Sequence, residues 1–162
     1  MAPGRRRTAV RREPQGRAIR VVPYQVYGER AVFVPNPTLG DGQGVFKEHV
    51  WAVETSCRVT GVVNPNHLIG SHIKPWRHSD NKERLDGENG LLLTPSIDHL
   101  FDKGHISFQD SGLLLISPRA DRDSLARMGV EDESSAIQRP FTHIQRRYLD
   151  FHRDKIFLSR GR

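Results

Sequence analysis

Cysteine is the scarcest chemistry in this sequence. Cys57 is the single one among 162 residues, which excludes an internal disulfide and any multi-cysteine zinc ribbon. It is expected to pack as a small buried apolar residue beside Val59. Apolar residues are also modest, at 36% with 7% aromatic and a mean hydropathy of −0.59. The core should therefore be small and the loops many. No stretch approaches the roughly 20 apolar residues needed to span a membrane. The N-terminus has arginines but no apolar run of the signal-peptide kind. A soluble, cytoplasmic protein without membrane partners is the expectation, and the length suits one domain with a tail.

Acidic residues are nearly missing from the first twenty positions. Glu13 stands alone there against seven arginines, Arg5, Arg6, Arg7, Arg11, Arg12, Arg17 and Arg20, so this segment carries the whole net charge of +6. The remaining 18 basic and 18 acidic side chains balance. The basicity belongs to an arm over 1–18, read as lacking fixed structure, and the folded part is not a basic domain. Such an arm can displace phosphate counterions and bind nucleic acid without reading sequence. A merely solvated terminus has the same composition.

After the arm, 19–27 and 30–34 are β-rich and flank Gly28-Glu29, which predicts a hairpin with Pro23 at an edge or bulge. A loop rich in Pro, Asn and Gly covers 35–44. Val45, Phe46, His49, Val50 and Val53 recur at helical spacing, predicting a helix over 45–56. A short strand is expected over 57–60, ended by Gly61, and a turn over 62–67.

The stretch from Gly70 to Phe108 carries the chemistry. It reads as a strand ending in Ser71-His72-Ile73, a long polar loop, and Asn89 leading into Leu91-Leu92-Leu93. A short helix follows Pro95, with Asp98, His99 and Asp102 on it, and then a strand over 105–108. Gln109-Asp110-Ser111-Gly112 predicts a turn into a second strand over 113–116. A short helix over 124–128, a linker over 131–135 and an amphipathic helix over 140–158 complete the chain. Its apolar face is expected to hold Phe141, Ile144, Tyr148, Phe151 and Phe157.

Phosphodiester hydrolysis needs a base for water, positive charge near the phosphate and the leaving oxygen, and fixed geometry. His72 suits the first role, because its ordinary pKa leaves it neutral at working pH; a histidine hydrogen-bonded at a strand end is the plain alternative. Asn89 precedes Gly90 and reads by itself as a turn, with tying down the loop and orienting His72 as a second role. Asp98 and Asp102, at i and i+4, share one helix face. A divalent cation between them would relieve their repulsion, and hard oxygen ligands suit magnesium or manganese, with other metals open. An ordinary solvated helix end has the same pattern. Lys74, Arg77 and Arg84 in the loop suit phosphate contacts, although the loop also holds four acids. Trp76 among them is expected to pack against the domain.

Together these motifs closely resemble the HNH endonuclease family: Cys-Arg-Val-Thr-Gly at 57–61, Ser-His-Ile-Lys-Pro-Trp at 71–76, Asn-Gly-Leu-Leu-Leu at 89–93, and Asp-His-Leu-Phe-Asp-Lys-Gly at 98–104. The resemblance covers roughly 45–117. It implies an α+β fold: a small ββα-metal nuclease core with flanking helices, here with an extra β-hairpin. The division expected is a basic arm at 1–18, a β-rich segment at 19–44 and the nuclease domain at 45–162. By resemblance His72 is the general base and Asn89 the asparagine that holds loop and base in place. Asp98 stands where the family has a helix-borne metal ligand, and Asp102 where some members have a second. His99 is the neighbouring candidate. Ser71 replaces a residue that is often a better ligand. Arg84 is left as a candidate for holding the scissile phosphate, and Arg5, Arg6 and Arg7 as non-specific DNA contacts. The implied cofactor is one divalent metal ion, the partner DNA, and the products 5′-phosphate and 3′-hydroxyl ends. Restriction, phage or mobile-element DNA processing are the settings such proteins serve, and a dimer would suit double-strand cutting. A binding module on the same fold without catalysis is the competing reading.

Overall fold

A computed structural model describes residues 6–7, 24–27, 30–33 and 42–160. Of the arm, Arg6–Arg7 form strand β1, while Arg5 and the rest of 1–18 lie outside the described residues. The expected hairpin is present as β2 (Tyr24–Tyr27) and β3 (Arg30–Phe33), antiparallel with Tyr27 opposite Arg30. Strand β1 pairs with β2 on its other edge.

Helix α1 (Gly42–Val53) buries Phe46 and Val50, one turn apart, and so presents one apolar stripe to the core. The strand expected over 57–60 is replaced by a turn. No strand pairs with it among the described residues, and the backbone turns instead. Gly61 N–H donates to the Cys57 carbonyl at 2.9 Å and Thr60 N–H to Cys57 Sγ at 3.4 Å, while the Arg58 carbonyl accepts from Ile137 N–H at 2.6 Å. Gly61 takes a φ of 72°, which completes the turn. Cys57 and Val59 are both buried, as their composition suggested.

Strand β4 (Ile69–His72) pairs antiparallel with β5 (Gly90–Leu93), and α2 (Pro95–Asp102) packs on both. Pro95 sits in the first turn of α2, where its missing N–H costs nothing. These elements are a ββα unit on an α+β chain. A second hairpin, β6 (Ile106–Phe108) with β7 (Leu114–Ile116), follows α2. Then come α3 (Arg122–Arg127) and α4 (His143–Lys155). The core is continuous from Phe46 and Val50 through Leu91, Leu92, Leu93 and Phe101 to Phe108, Phe141 and Leu149. Among the described residues, no helix is long and apolar enough to cross a membrane.

The face of α4 differs from the expected one. The residues it buries are Gln145, Leu149 and His152, whereas Ile144, Tyr148 and Phe151 are half-buried beside them. The apolar pattern misses this because two of the buried side chains are polar with their hydrogen bonds met inside. Gln145 Nε2 donates to Glu54 Oε1 at 2.8 Å. His152 lies 3.9 Å from the Phe101 ring and parallel to it, with Nε2 3.0 Å from the Phe101 carbonyl and Nδ1 3.0 Å from Ser107 Oγ. The carbonyl can only accept, so Nε2 carries the proton and Nδ1 accepts from the serine.

Burial drives the His152 pKa down to about 4, with the Phe101 carbonyl opposing. The unfolded chain binds this proton near pH 6.5 and the folded chain does not, so stability is full above that value. It falls as pH drops, and the loss levels off below about 4. The linkage is worth about 2 kcal/mol between pH 7 and pH 5. Urea denaturation at the two pH values should show that drop, and H152Q should show a drop smaller by about the same amount.

Candidate functional site

In the β4–β5 register His72 faces Gly90. A Cβ on Gly90 would stand 2.2 Å from Val50 Cγ2 and 2.8 Å from Phe46 Cζ. The residue is extended, with φ −140°, so the Asn-Gly pair is no turn. Glycine is required here because α1 presses onto the hairpin at this point. That approach brings the Phe46 ring onto the His72 imidazole, 3.6 Å between centroids and 6° from parallel. Trp76 meets the same imidazole edge-on at 5.6 Å.

His72 Nε2 lies 3.1 Å from the Arg84 carbonyl. That partner fixes the tautomer: the proton is on Nε2 and the lone pair on Nδ1. Burial against Phe46 lowers the His72 pKa from its ordinary value, with the Arg84 carbonyl opposing in part. The imidazole is thus neutral at physiological pH, with one nitrogen able to take a proton.

Asn89 is fully buried and uses its whole amide. Its Oδ1 accepts from Lys74 N–H at 2.8 Å, while Nδ2 reaches the Lys74 carbonyl at 3.2 Å, the Glu83 carbonyl at 3.0 Å and Ser79 Oγ at 3.3 Å. Its own carbonyl accepts from Ile73 N–H at 3.0 Å. One side chain therefore cross-links both ends of the loop 74–88. Lys74 is two residues from His72, and Glu83 adjoins Arg84, whose carbonyl orients the imidazole. No hydrogen bond joins Asn89 to His72 among the described residues, and these two attachments are what link them.

Helix α4 supports the loop from outside. Tyr148 Oη donates to Asp86 Oδ2 at 2.8 Å. Phe151 lies beneath Lys74 Nζ at 5.5 Å and beside His78 at 5.3 Å.

The acidic cluster is looser than its spacing suggested. Asp98 is half-buried on α2, and no hydrogen bond or ion pair engages its carboxylate among the described residues. Asp102 is exposed and paired with Lys103 at 2.9 Å, and His99 is exposed. Ser71 is 6% exposed, within the hairpin. Among the described residues, no group of three or more His, Cys, Asp or Glu is arranged to hold a metal. What remains is a hard oxygen donor without a partner. That suits a magnesium-like ion, which keeps several waters and takes one or two carboxylates plus substrate oxygens.

The loop cations differ in what they can offer. Lys74 is paired with Glu83 at 2.6 Å and is only 20% exposed, so its charge is already spent locally. Arg77 is exposed and donates to His78 Nε2 at 3.1 Å. Arg84 lies 4.9 Å over the Trp76 ring and donates to the Trp76 carbonyl and to Asn81 Oδ1.

Sequence reasoning missed two contributors. Phe46 was legible only as one member of a helical apolar stripe, with nothing to connect it to His72. Trp76, expected to be packed away, is 44% exposed. With Phe46, Lys47, Leu68, Ile69, Gly70 and His72 it lines a cleft of about 330 Å³.

Residues 57–109 match the family model described as HNH endonuclease. The match spans every candidate from Ser71 to Asp102 and leaves α1 and α4 outside it. No curated protein matches the chain.

Proposed function

We propose that this chain, whose residues 57–109 match the HNH endonuclease family model, is a metal-dependent DNA endonuclease with His72 as general base. The observation that supports this reading most is the state of His72. It is neutral, fixed by a carbonyl on Nε2, and free to accept a proton on Nδ1.

In this reading Nδ1 takes a proton from the attacking water, and the Arg84 carbonyl accepting from Nε2–H steadies the imidazolium that forms. Phe46 and Trp76 restrict the ring to one orientation, and Asn89 keeps the Arg84 carbonyl in place by anchoring the loop. Asp98 is the residue best suited to hold one divalent ion, magnesium or manganese, with Asp102 joining if it leaves Lys103. When bound, that ion supplies positive charge to the phosphate and to the leaving 3′ oxygen. Arg84 and Arg77 are the loop cations free enough to meet the DNA backbone, and the arginine arm adds affinity that is lost with salt.

Purified protein incubated with supercoiled plasmid and magnesium or manganese should give nicked and linear DNA, and chelation should abolish it. Asp98→Ala should lower cleavage by about 10²-fold or more, as removal of a transition-state charge stabiliser does. Manganese binding followed by calorimetry should be lost in Asp98→Ala and kept in His99→Ala; the reverse result would move the ligand to His99. Tight DNA binding with no cleavage under any metal would favour the non-catalytic module instead.

A further inference from the structure

The cleft beside His72 shares Phe46, Trp76 and the imidazole with the site described above, but its open space is not used by the hydrolysis itself. Its volume, about 330 Å³, is at the small end of the range for ligand sites. Two of its walls are aromatic, Phe46 and Trp76, and its floor is Leu68, Ile69 and Gly70. Lys47 contributes its stem, because its ammonium is engaged by the Pro65 and Leu68 carbonyls. Trp76 and Ile69 remain exposed at 44% and 39%. The Arg84 guanidinium covers part of the Trp76 ring, 4.9 Å from its centroid, and does not line the cleft, so a cation stands beside the aromatic surface that does.

We propose that this cleft takes one unstacked nucleobase of the DNA, the base next to the phosphodiester presented to His72, with Trp76 as its stacking surface. The inference rests on the nuclease reading for the placement of the phosphate. If a phosphate meets His72, its nucleoside is one sugar away, and the nearest surface able to take a base is Trp76, 5.6 Å from the imidazole. An aromatic face accepts any base, since each has a π-face, and Arg84 adds the charge that tracks the backbone. A base stacked within a duplex cannot enter. The site therefore favours DNA whose bases leave the stack readily: single strands, gaps and mismatches.

The test reads binding, in chelator and at about 200 mM salt so that the arginine arm contributes little. Labelled single-stranded oligonucleotide and a duplex of the same sequence are titrated with the protein, with Trp76→Ala and with Trp76→Phe. Trp76→Ala should weaken single-strand binding about tenfold or more while changing duplex binding less than about twofold, and Trp76→Phe should keep most of the preference. A second readout needs no loss of the side chain. In a Trp51→Phe background Trp76 is the single tryptophan, and its fluorescence, excited to the red of the tyrosines, should be quenched by the single strand and not by the duplex. Equal losses on both DNAs, or no quenching, would overturn the inference. A protein that binds single strands through Trp76 yet never cleaves would remove the catalytic reading and leave the cleft's role standing. One that cleaves with no Trp76-dependent preference would do the opposite.

Discussion

Glu54→Ala is expected to destabilise the domain by about 3–5 kcal/mol, the usual result of removing one partner from a buried ion pair. Glu54 is fully buried at the end of α1, and its carboxylate is met by four donor nitrogens on three side chains. Arg58 donates through Nε at 3.0 Å and Nη2 at 2.6 Å, Gln145 through Nε2 at 2.8 Å, and Arg139 through Nη2. The Arg58 guanidinium is itself only 3% exposed, lies 3.7 Å over the Phe141 ring and donates to the Arg139 carbonyl at 2.5 Å. Alanine would leave that charge in the interior with no anion beside it. The loss is a large share of the 5–15 kcal/mol typical of a folded domain. Urea denaturation should show it as a lower midpoint with an unchanged slope. E54Q keeps the shape and one acceptor oxygen and should lose less. The double variant Glu54→Leu with Arg58→Met should lose less than E54A, because no charge is then stranded. A cost below about 1 kcal/mol for E54A would show that water reaches the site and that the cluster is not a clamp.

The cluster matters to function through what it joins. Glu54 ends the helix whose Phe46 supports His72, and Gln145 begins the helix whose Tyr148 holds Asp86 in the loop. Loosening it should therefore reach the imidazole from two directions.

The hairpin, the loop and α2 were legible in the sequence because each has a local cause. Ser71-His72 and Leu91-Leu92-Leu93 have strand composition, Pro95 starts a helix, and Gln109–Gly112 turns a hairpin. Asn89 and His72 were legible from their place in an ordered set of motifs. The pressures across the chain were not. Nothing local says that Gly90 is a glycine because Val50 and Phe46 occupy the space of its Cβ. Cys57–Thr60 has strand composition, yet a strand needs a partner strand, and none pairs with it among the described residues. Gln145 and His152 look like the solvent face of α4 until their partners, Glu54, Ser107 and Phe101, are seen. The two aspartates at helical spacing suggested a ready pair, and Lys103 already holds one of them. Spacing places side chains on one face of a helix but does not say what else meets them.

The second large effect belongs to His72. Alanine removes the proton acceptor and leaves the Arg84 carbonyl, Asn89 and Asp98 in place, so the loss should be that of a general base, about 10²- to 10⁴-fold in the cleavage step. Because burial lowers the His72 pKa, the wild-type rate should rise with pH through a midpoint below 6.5 and then level. The imidazole also packs on Phe46, so the thermal midpoint of each protein is recorded beside its rate.

The most direct measurement is single-turnover cleavage of supercoiled plasmid by wild type and His72→Ala, with saturating manganese, from about pH 5 to pH 8. The expected result is a wild-type rate with that acidic limb, and a His72→Ala rate at least about 10²-fold lower from which the limb has gone. Equal rates in the two proteins, with the limb kept in both, would contradict the assignment of His72 as the base.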